Sequence, residues 1–211
     1  TLVPNKPPGA TLVAAATYAV LKGVTGERPT LRAYTIAARI LGGLLPTLIA
    51  AWVLWRSERR WVARAGPAAI ARVDFAIVAW LLATPAWPNA KLLFGHSLAA
   101  CLLTVGVVAL IGEPEPEPDE RPSHARAALG GLLTSAAITV EYTAAFAGPA
   151  IAVWLIVRER KRWTVILAAT LAAAIPLVLL AAYHDAVFGD PFTTGYHRVT
   201  DAGFSAIHGR G

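Results

Sequence analysis

The feature that most constrains this chain is a long stretch without a charge, "TVILAATLAAAIPLVLLAAY" at 164–183. A helix needs about 20 mainly apolar residues to cross a hydrocarbon core of about 30 Å, so this stretch predicts a transmembrane helix. The composition agrees, because 56% of the residues are hydrophobic and only 15% are charged, against about 25% charged in soluble domains. We therefore predict an integral membrane protein of the all-α class.

Five further apolar stretches extend this prediction to a polytopic bundle of about six transmembrane helices. The six predicted spans cover 33–55, 67–86, 92–112, 127–142, 144–157 and 164–183. The fourth and fifth spans are short and nearly continuous in sequence. They predict a tight helical hairpin with its turn near "EYTAAF".

Two basic clusters orient the bundle. "RSERRWVAR" at 56–64 and "RERKR" at 158–162 both adjoin span ends, which places them on the cytoplasmic side. Four predicted spans separate the clusters, and an even number keeps both on one side. The Pro/Glu-rich loop 113–126 then also lies inside, and we predict that it is disordered. This anchoring explains the net charge of +6, and no nucleic-acid partner is predicted.

The remaining segments fall on the outer side. Residues 1–32 form a predicted outer loop, 33–183 hold the six spans, and 184–211 begin another outer loop within a single transmembrane domain. Residues 10–24 would form a helix only about 22 Å long, so we place them at the outer interface; a short true span is the alternative. The chain contains no methionine and ends in "AIHGRG", and we expect it to be part of a longer polytopic protein.

One cation stands out in "VPNKPPGATL", where Lys6 precedes two prolines. Proline restricts its own φ and pushes the preceding residue toward an extended backbone. Lys6 is therefore predicted to be held at the membrane surface, where a phosphate head group suits it. The alternative is a loop lysine that meets the phosphates of bulk lipid.

Five ionisable residues interrupt predicted spans, where a charge is expensive and usually has a partner or a water-filled cavity. Arg72 and Asp74 lie nearer the cytoplasmic end of the second span, and we expect them at the interface. Arg39 lies near the outer end of the first span, and the alternative for it is snorkelling to the interface. Glu141 sits in "AAITVEYTAAF" and could pair with a cation, contact a sugar hydroxyl or make a structural hydrogen bond. His96 lies about one turn below the outer connector and could be a ligand or a structural residue.

Other polar residues lie in the outer connector and in the tail. Lys91 belongs to the connector "TPAWPNAK", and the tail carries His184, Asp185, Asp190, Tyr196 and His197. Their spacing matches no firm metal motif, so neither a metal nor another cofactor is predicted. Cys101 is expected to be a small buried hydrophobic residue.

Four segments of the chain resemble the GT-C glycosyltransferase superfamily. They are "NKPPG", "AARILGGLLPTLIAAWVLWR", "TPAWPNAKLLFGHSLAA" and "YHDAVFGDPFTTGY". The similarity is greatest to a bacterial branch of protein mannosyltransferase-like (glycosyltransferase family 39-like), aminoarabinose-transferase-like and rhizobial lipopolysaccharide sugar-transferase-like proteins. In this branch a Lys-Pro-Pro segment closes the first outer loop.

The resemblance implies an enzyme of the inner or plasma membrane with its active face outside the cytoplasm. It would move a sugar from a polyprenyl-phosphate donor to a glycan, lipid or protein acceptor. Lys6 would meet the lipid phosphate, with Arg39, Lys91, His96 and Tyr196 as further substrate-binding residues.

The family's catalytic acid lies in the first outer loop, before the Lys-Pro-Pro segment. We therefore expect the first span, most of that loop and the base to lie upstream of Thr1, which would leave this piece inactive alone. Asn5 replaces an acid that some relatives carry, and Glu141 is the best remaining acid for the base. The connector "TPAWPNAK" lacks the acid of the aminoarabinose branch, which argues against that substrate class.

Two other functions compete with this one. A secondary transporter would line its path with Glu141, Asp74 and Arg39, but the paired, inverted halves of such proteins are not visible. A non-catalytic membrane scaffold of envelope assembly is the other alternative.

Overall fold

The computed structural model describes residues 6–92, 95–112 and 123–198. These residues form helices and loops without any strand, which confirms the all-α class. The α-helices are α1 (Gly9–Thr25), α2 (Leu31–Arg39), α3 (Leu45–Val62), α4 (Pro67–Ala83), α5 (Ala86–Ala90), α6 (Gly95–Ile111), α7 (His124–Val140), α8 (Ala147–Glu159) and α9 (Trp163–Phe188). Most of the predicted loop 113–126, the end of the predicted loop 184–211 and Asn5 lie outside the described residues.

Helix α7 is the centre of the fold and packs against α6 on one side and α9 on the other. Glycines permit both approaches. A side chain on Gly130 would collide with Leu110 of α6, and a side chain on Gly131 would collide with the backbone of Ala169 in α9. Small residues let helix backbones approach closely, as is usual for helices packed in membranes.

The small residues are buried, and many of the large apolar residues are exposed. In α9, Ala169 is 3% exposed, whereas Leu171, Val178 and Leu179 are each more than 60% exposed. Two helical stretches among the described residues, Leu31–Ala65 and Trp163–Phe188, are long and apolar enough to cross a membrane. This arrangement suits helices whose outer surfaces meet lipid.

A π-helical turn changes the hydrogen bonding within the stretch predicted as the first span, 33–55, but the chain stays helical through it. Residues Ile40–Leu44 form a π-helical turn, closed by a hydrogen bond from the Leu45 N–H to the Ile40 carbonyl. Pro46 follows and has no N–H to donate to the preceding turn, which explains why the regular bonding pattern changes here. Gly43 in this turn lies so close to the Ala90 carbonyl of α5 that a Cβ would be only 2.5 Å from its oxygen.

Helix α1 lies beside α2 and makes few close approaches to the central helices. The rings of Tyr18 and Tyr34 meet edge to face, with centroids 6.0 Å apart. The start of α1 reaches the central helices, where Gly9 packs on Val140 at the end of α7.

The predicted hairpin of 127–142 and 144–157 is confirmed in its turn and wrong in its packing. Helix α7 ends at Val140, a 3-10 turn covers Tyr142–Phe146, and α8 begins at Ala147. Because α7 is occupied by α6 and α9, α8 stands off from it along most of its length. A cavity of about 210 Å³ separates the two helices.

The helix directions define two ends of the molecule. Helices α7 and α9 run parallel, with a hydrogen bond between His124 and Thr164 at one end and between Tyr142 and His184 at the other. We call the end with Tyr142 and His184 the Lys6 end. The opposite end, where Arg56, Arg60 and Arg126 surround one small pocket, is the arginine end.

Candidate functional site

Three ionisable residues from distant parts of the chain meet at the Lys6 end. Lys6 Nζ lies 3.3 Å from Glu141 Oε1, although 135 positions separate the two residues. His96 Nδ1 lies 3.2 Å from Glu141 Oε2. Both carboxylate oxygens of Glu141 are therefore engaged. Glu141 is buried, with a side chain only 7% exposed, whereas Lys6 and His96 are each about half exposed.

The backbone explains why Glu141 occupies this position. It is the first residue after α7, with an extended φ of −148° and ψ of 116°, and its N–H still donates to the Ala137 carbonyl. The end of a helix carries partial negative charge, so a buried carboxylate is unfavourable there without cations. The Lys6 ammonium supplies this compensation, and His96 Nδ1 contacts the other carboxylate oxygen.

Two helix starts converge on the same point. The first residues of α1 and α6, Gly9 and Gly95, both press on Val140, where a Cβ on either would lie under 3 Å from the atoms of α7. The N-terminus of a helix carries partial positive charge. Both starts therefore favour the Glu141 carboxylate next to Val140.

Tyr196 completes the cluster from the tail of the chain. Its ring centroid lies 5.7 Å from Lys6 Nζ, within the range of a cation–π interaction. The Tyr196 hydroxyl and then the Glu141 carboxylate raise the pKa of the Lys6 ammonium above its ordinary value, against the opposing effect of partial burial. We call Lys6, His96, Glu141 and Tyr196 the Lys6 cluster.

Two further hydrogen bonds connect the end of α9 and the tail to the turn next to Glu141. The Tyr142 hydroxyl lies 2.8 Å from His184 Nε2, and His184 Nδ1 lies 3.1 Å from the Pro191 carbonyl. A carbonyl only accepts, so Nδ1 carries a proton, and a neutral His184 accepts from Tyr142 through Nε2. The Tyr142 and Tyr196 rings lie 6.0 Å apart. Sequence reasoning missed Tyr142, whose only signal is its place beside Glu141.

Two of the predicted substrate-binding residues lie apart from the cluster. Arg39 ends α2 and is exposed. Lys91 is also exposed, and its Nζ lies 5.9 Å from the Trp87 ring centroid. Within the described residues, no ion pair or hydrogen bond links either residue to the Lys6 cluster.

The described residues offer no group of three or more His, Cys, Asp or Glu side chains that could hold a metal ion. The tail residue His184 is engaged with Tyr142 and Pro191. Asp190 instead shapes the turn after α9, where its carboxylate accepts from the Phe192 N–H and the Thr193 hydroxyl.

Comparison of the chain with models of protein families, with curated proteins and with solved structures finds no match in any of the three.

Proposed function

We propose that this chain belongs to a membrane glycosyltransferase of the GT-C type that uses a polyprenyl-phosphate-linked sugar. One observation carries the proposal: Lys6, singled out for a lipid phosphate, contacts Glu141 and Tyr196 at one end of the molecule, and His96 contacts the same Glu141. Three of these four residues were named as substrate-binding from the sequence, and Glu141 was named as the best remaining acid.

The proposal places six spans in the membrane, with α1 at the outer interface. The stretch Leu31–Ala65 has 35 residues and would be about 52 Å long as a helix, well beyond a hydrocarbon core of about 30 Å. Part of it must then lie outside the core, and we place that boundary at the π-helical turn Ile40–Leu44. Helix α2 would lie at the surface with α1 against it.

In this proposal Lys6 stabilises the leaving group. The acceptor hydroxyl gives its proton to a general base that the described residues do not supply. Its oxygen forms a bond to the anomeric carbon as that carbon's bond to the phosphate oxygen breaks, and the electron pair of the broken bond remains on the phosphate. An ammonium has three N–H donors and Glu141 takes one, so the half-exposed Lys6 can also donate to a phosphate oxygen. Such electrostatic stabilisation of developing charge is often the largest catalytic contribution.

Glu141 is assigned to positioning and not to the role of base. Both of its oxygens face cationic or hydrogen-bonding partners, and its side chain is almost fully buried. A base must reach the acceptor proton, and this carboxylate has little surface from which to do so. Its role is to orient Lys6 and His96.

The test compares Lys6→Ala with Lys22→Ala in the full-length protein, in cells that lack the native gene. Lys22 is an exposed lysine on α1 and serves as the matched control. Mass measurement of lipid-linked and transferred glycans should show the native profile with Lys22→Ala and loss of the transferred sugar with Lys6→Ala. An unchanged profile with Lys6→Ala would refute the proposal and favour a scaffold, and a profile that does not depend on the gene at all would favour a transporter.

A further inference from the structure

Three arginines line one small pocket at the arginine end. The pocket has a volume of about 140 Å³ and lies between α3, the end of α6 and the start of α7. Its described lining consists of Trp52, Val53, Arg56, Ser57, Arg60, Val108, Gly112 and Arg126. Three positively charged side chains therefore share a cavity whose described walls carry no carboxylate.

The helices hold these positive charges together at an electrostatic cost. Arg56 and Arg60 are four positions apart on α3, where two like charges disfavour the helix. Arg126 lies in the first turn of α7, where the helix terminus carries partial positive charge and a cation is unfavourable. An anion in the pocket would offset both effects, so the arrangement points to an anionic ligand.

Three acidic residues among those described lie near this end, and none of them lines the pocket. Asp74 Oδ1 lies 3.7 Å from Arg59 Nε. Glu159 pairs with its neighbours in the sequence. Glu58 follows Arg56 by two positions, and residues two apart on a helix do not face each other. The described carboxylates therefore serve other positions.

Tryptophans accompany the arginines at this end. Ring centroids lie 5.7, 4.9 and 5.0 Å from the guanidinium carbons in the pairs Trp52–Arg56, Trp55–Arg59 and Trp154–Arg158. Trp52 lines the pocket and is 55% exposed. Tryptophan is enriched at membrane–water interfaces, and basic residues are enriched on the cytoplasmic side. This combination favours the depth of the lipid head groups in the cytoplasmic leaflet, whose surface is negatively charged.

We propose that this pocket binds the phosphate of an anionic membrane lipid, such as phosphatidylglycerol, from the cytoplasmic leaflet. Arg56 and Arg126 would contact the phosphate from two distant segments, because guanidinium groups pair well with phosphate oxygens. The exposed Trp52 ring would contact the lipid beside the phosphate. The site lies at the opposite end from Lys6 and does not depend on the proposed sugar transfer.

The size of the pocket suits this ligand. Its volume equals that of about five water molecules at roughly 30 Å³ each. A phosphate group with its four oxygen atoms fits such a space, whereas a whole lipid does not. The acyl chains would therefore lie outside the pocket, along the exposed apolar surfaces of the helices.

The test measures lipid adducts on the purified full-length protein by native mass spectrometry, as phosphatidylglycerol or the zwitterionic phosphatidylcholine is added. We expect phosphatidylglycerol to bind more tightly. Arg56→Gln and Arg126→Gln should each weaken its binding about fivefold (about 1 kcal/mol), the contribution of one arginine near an anionic lipid surface. Arg56→Lys keeps the charge and should retain most of the binding, which separates loss of the site from loss of the fold.

Arg160→Gln is the matched control. Arg160 is an exposed arginine near the same end that does not line the pocket, and its replacement should leave phosphatidylglycerol binding unchanged. Equal weakening by all three glutamine variants would show diffuse attraction to a basic surface and overturn the site. Equal binding of the two lipids, or unchanged binding in the Arg56 and Arg126 variants, would also overturn it and favour the acidic residues that follow Gly112 in the sequence as the partners of these arginines.

A competition experiment identifies the source of the phosphate. Glycerol phosphate carries the same charged group without acyl chains, and acyl chains contribute strongly to membrane binding. It should displace phosphatidylglycerol only at a large excess. Displacement at equal concentration would show a site for soluble phosphates and overturn the lipid assignment. Because the readout is lipid binding, none of these outcomes depends on the sugar transfer tested with Lys6→Ala.

Discussion

Two glutamates are buried among the described residues, and their carboxylates are paired in opposite ways. Glu141 at the Lys6 end meets Lys6 and His96, which come from distant segments. Glu159, at the arginine end, meets only its chain neighbours Arg158 and Arg162. The Glu141 carboxylate therefore depends on the tertiary fold for its partners, whereas the partners of Glu159 are its neighbours in the sequence.

The pairing of Glu159 with its sequence neighbours also leaves its carboxylate less fully hydrogen-bonded than that of Glu141. Glu159 is 0% exposed, and its Oε1 lies 3.4 Å from Arg158 Nε without hydrogen-bonding geometry. Arg162 Nη1 reaches Oε2 at 3.5 Å. Neighbouring residues have little freedom to align on one carboxylate, whereas separate segments can each approach it from a suitable direction. This difference suggests that Glu141 belongs to a built site and Glu159 to the end of a helix.

The sharpest test of this difference replaces each glutamate by alanine in the full-length protein. Glu141→Ala releases Lys6 and His96, and a misplacement of about 1 Å at a reacting group can cost about 10²-fold in rate. We expect sugar transfer in isolated membranes to fall by about that factor. Glu159→Ala serves as the matched variant and should keep transfer within a few-fold of native. Equal losses would show that both glutamates act only through stability.

A second test disturbs the framework that holds Glu141 and leaves the local pairs of Glu159 intact. Gly131→Ala forces α7 away from the Ala169 backbone, and overpacking of this kind costs about 1–3 kcal/mol. We expect that loss in the free energy of unfolding, measured in detergent by circular dichroism.

Gly23→Ala is the control for this substitution. A Cβ at Gly23 in α1 has no neighbour within 4 Å, and alanine is favoured over glycine within a helix by about 0.5–1 kcal/mol. Gly23→Ala should therefore be neutral or stabilising. A Gly131→Ala protein as stable as this control would contradict the close packing of α7 on α9.

The smallest expected effect concerns pH. The native pKa of Lys6 is raised above its ordinary 10.5 by Tyr196 and Glu141. Its contribution to stability is therefore complete below that ordinary value and is lost as the pH rises through the raised native value. The difference in melting temperature between the native protein and Lys6→Ala should shrink across this alkaline window. A Lys22→Ala protein should show no such change, and a constant Lys6→Ala difference would argue against the Lys6–Glu141 pair.

Much of the fold was predictable from local patterns. The ends of α4, α6, α7 and α9 fall within a few residues of the predicted spans, because apolar length and flanking charges set them. The short helix α5 and the π-helical turn Ile40–Leu44 were not predicted. Helix α5 depends on packing of the connector against Gly43. The π-helical turn depends on how the hydrogen bonding of the helix shifts where Pro46 has no N–H to donate.

The candidate site was predictable only as separate residues. Lys6 and Glu141 were each conspicuous, since a cation between prolines and an acid in an apolar stretch both need an explanation. The two residues are 135 positions apart, and periodic patterns in a sequence cannot predict a contact between residues so far apart in the chain. Tyr142 carried no signal of its own.

The sequence by itself determined that the chain is helical, where most helices lie, and which polar residues are out of place in apolar surroundings. Those properties follow from composition and from spacing along one segment. Only the tertiary structure decided that α7 packs on α6 and α9 and leaves α8 apart, and that Lys6 and His96 both contact Glu141. The reason is that a buried charge needs partners in space, and the glycines that let the helices approach decide which segments supply them.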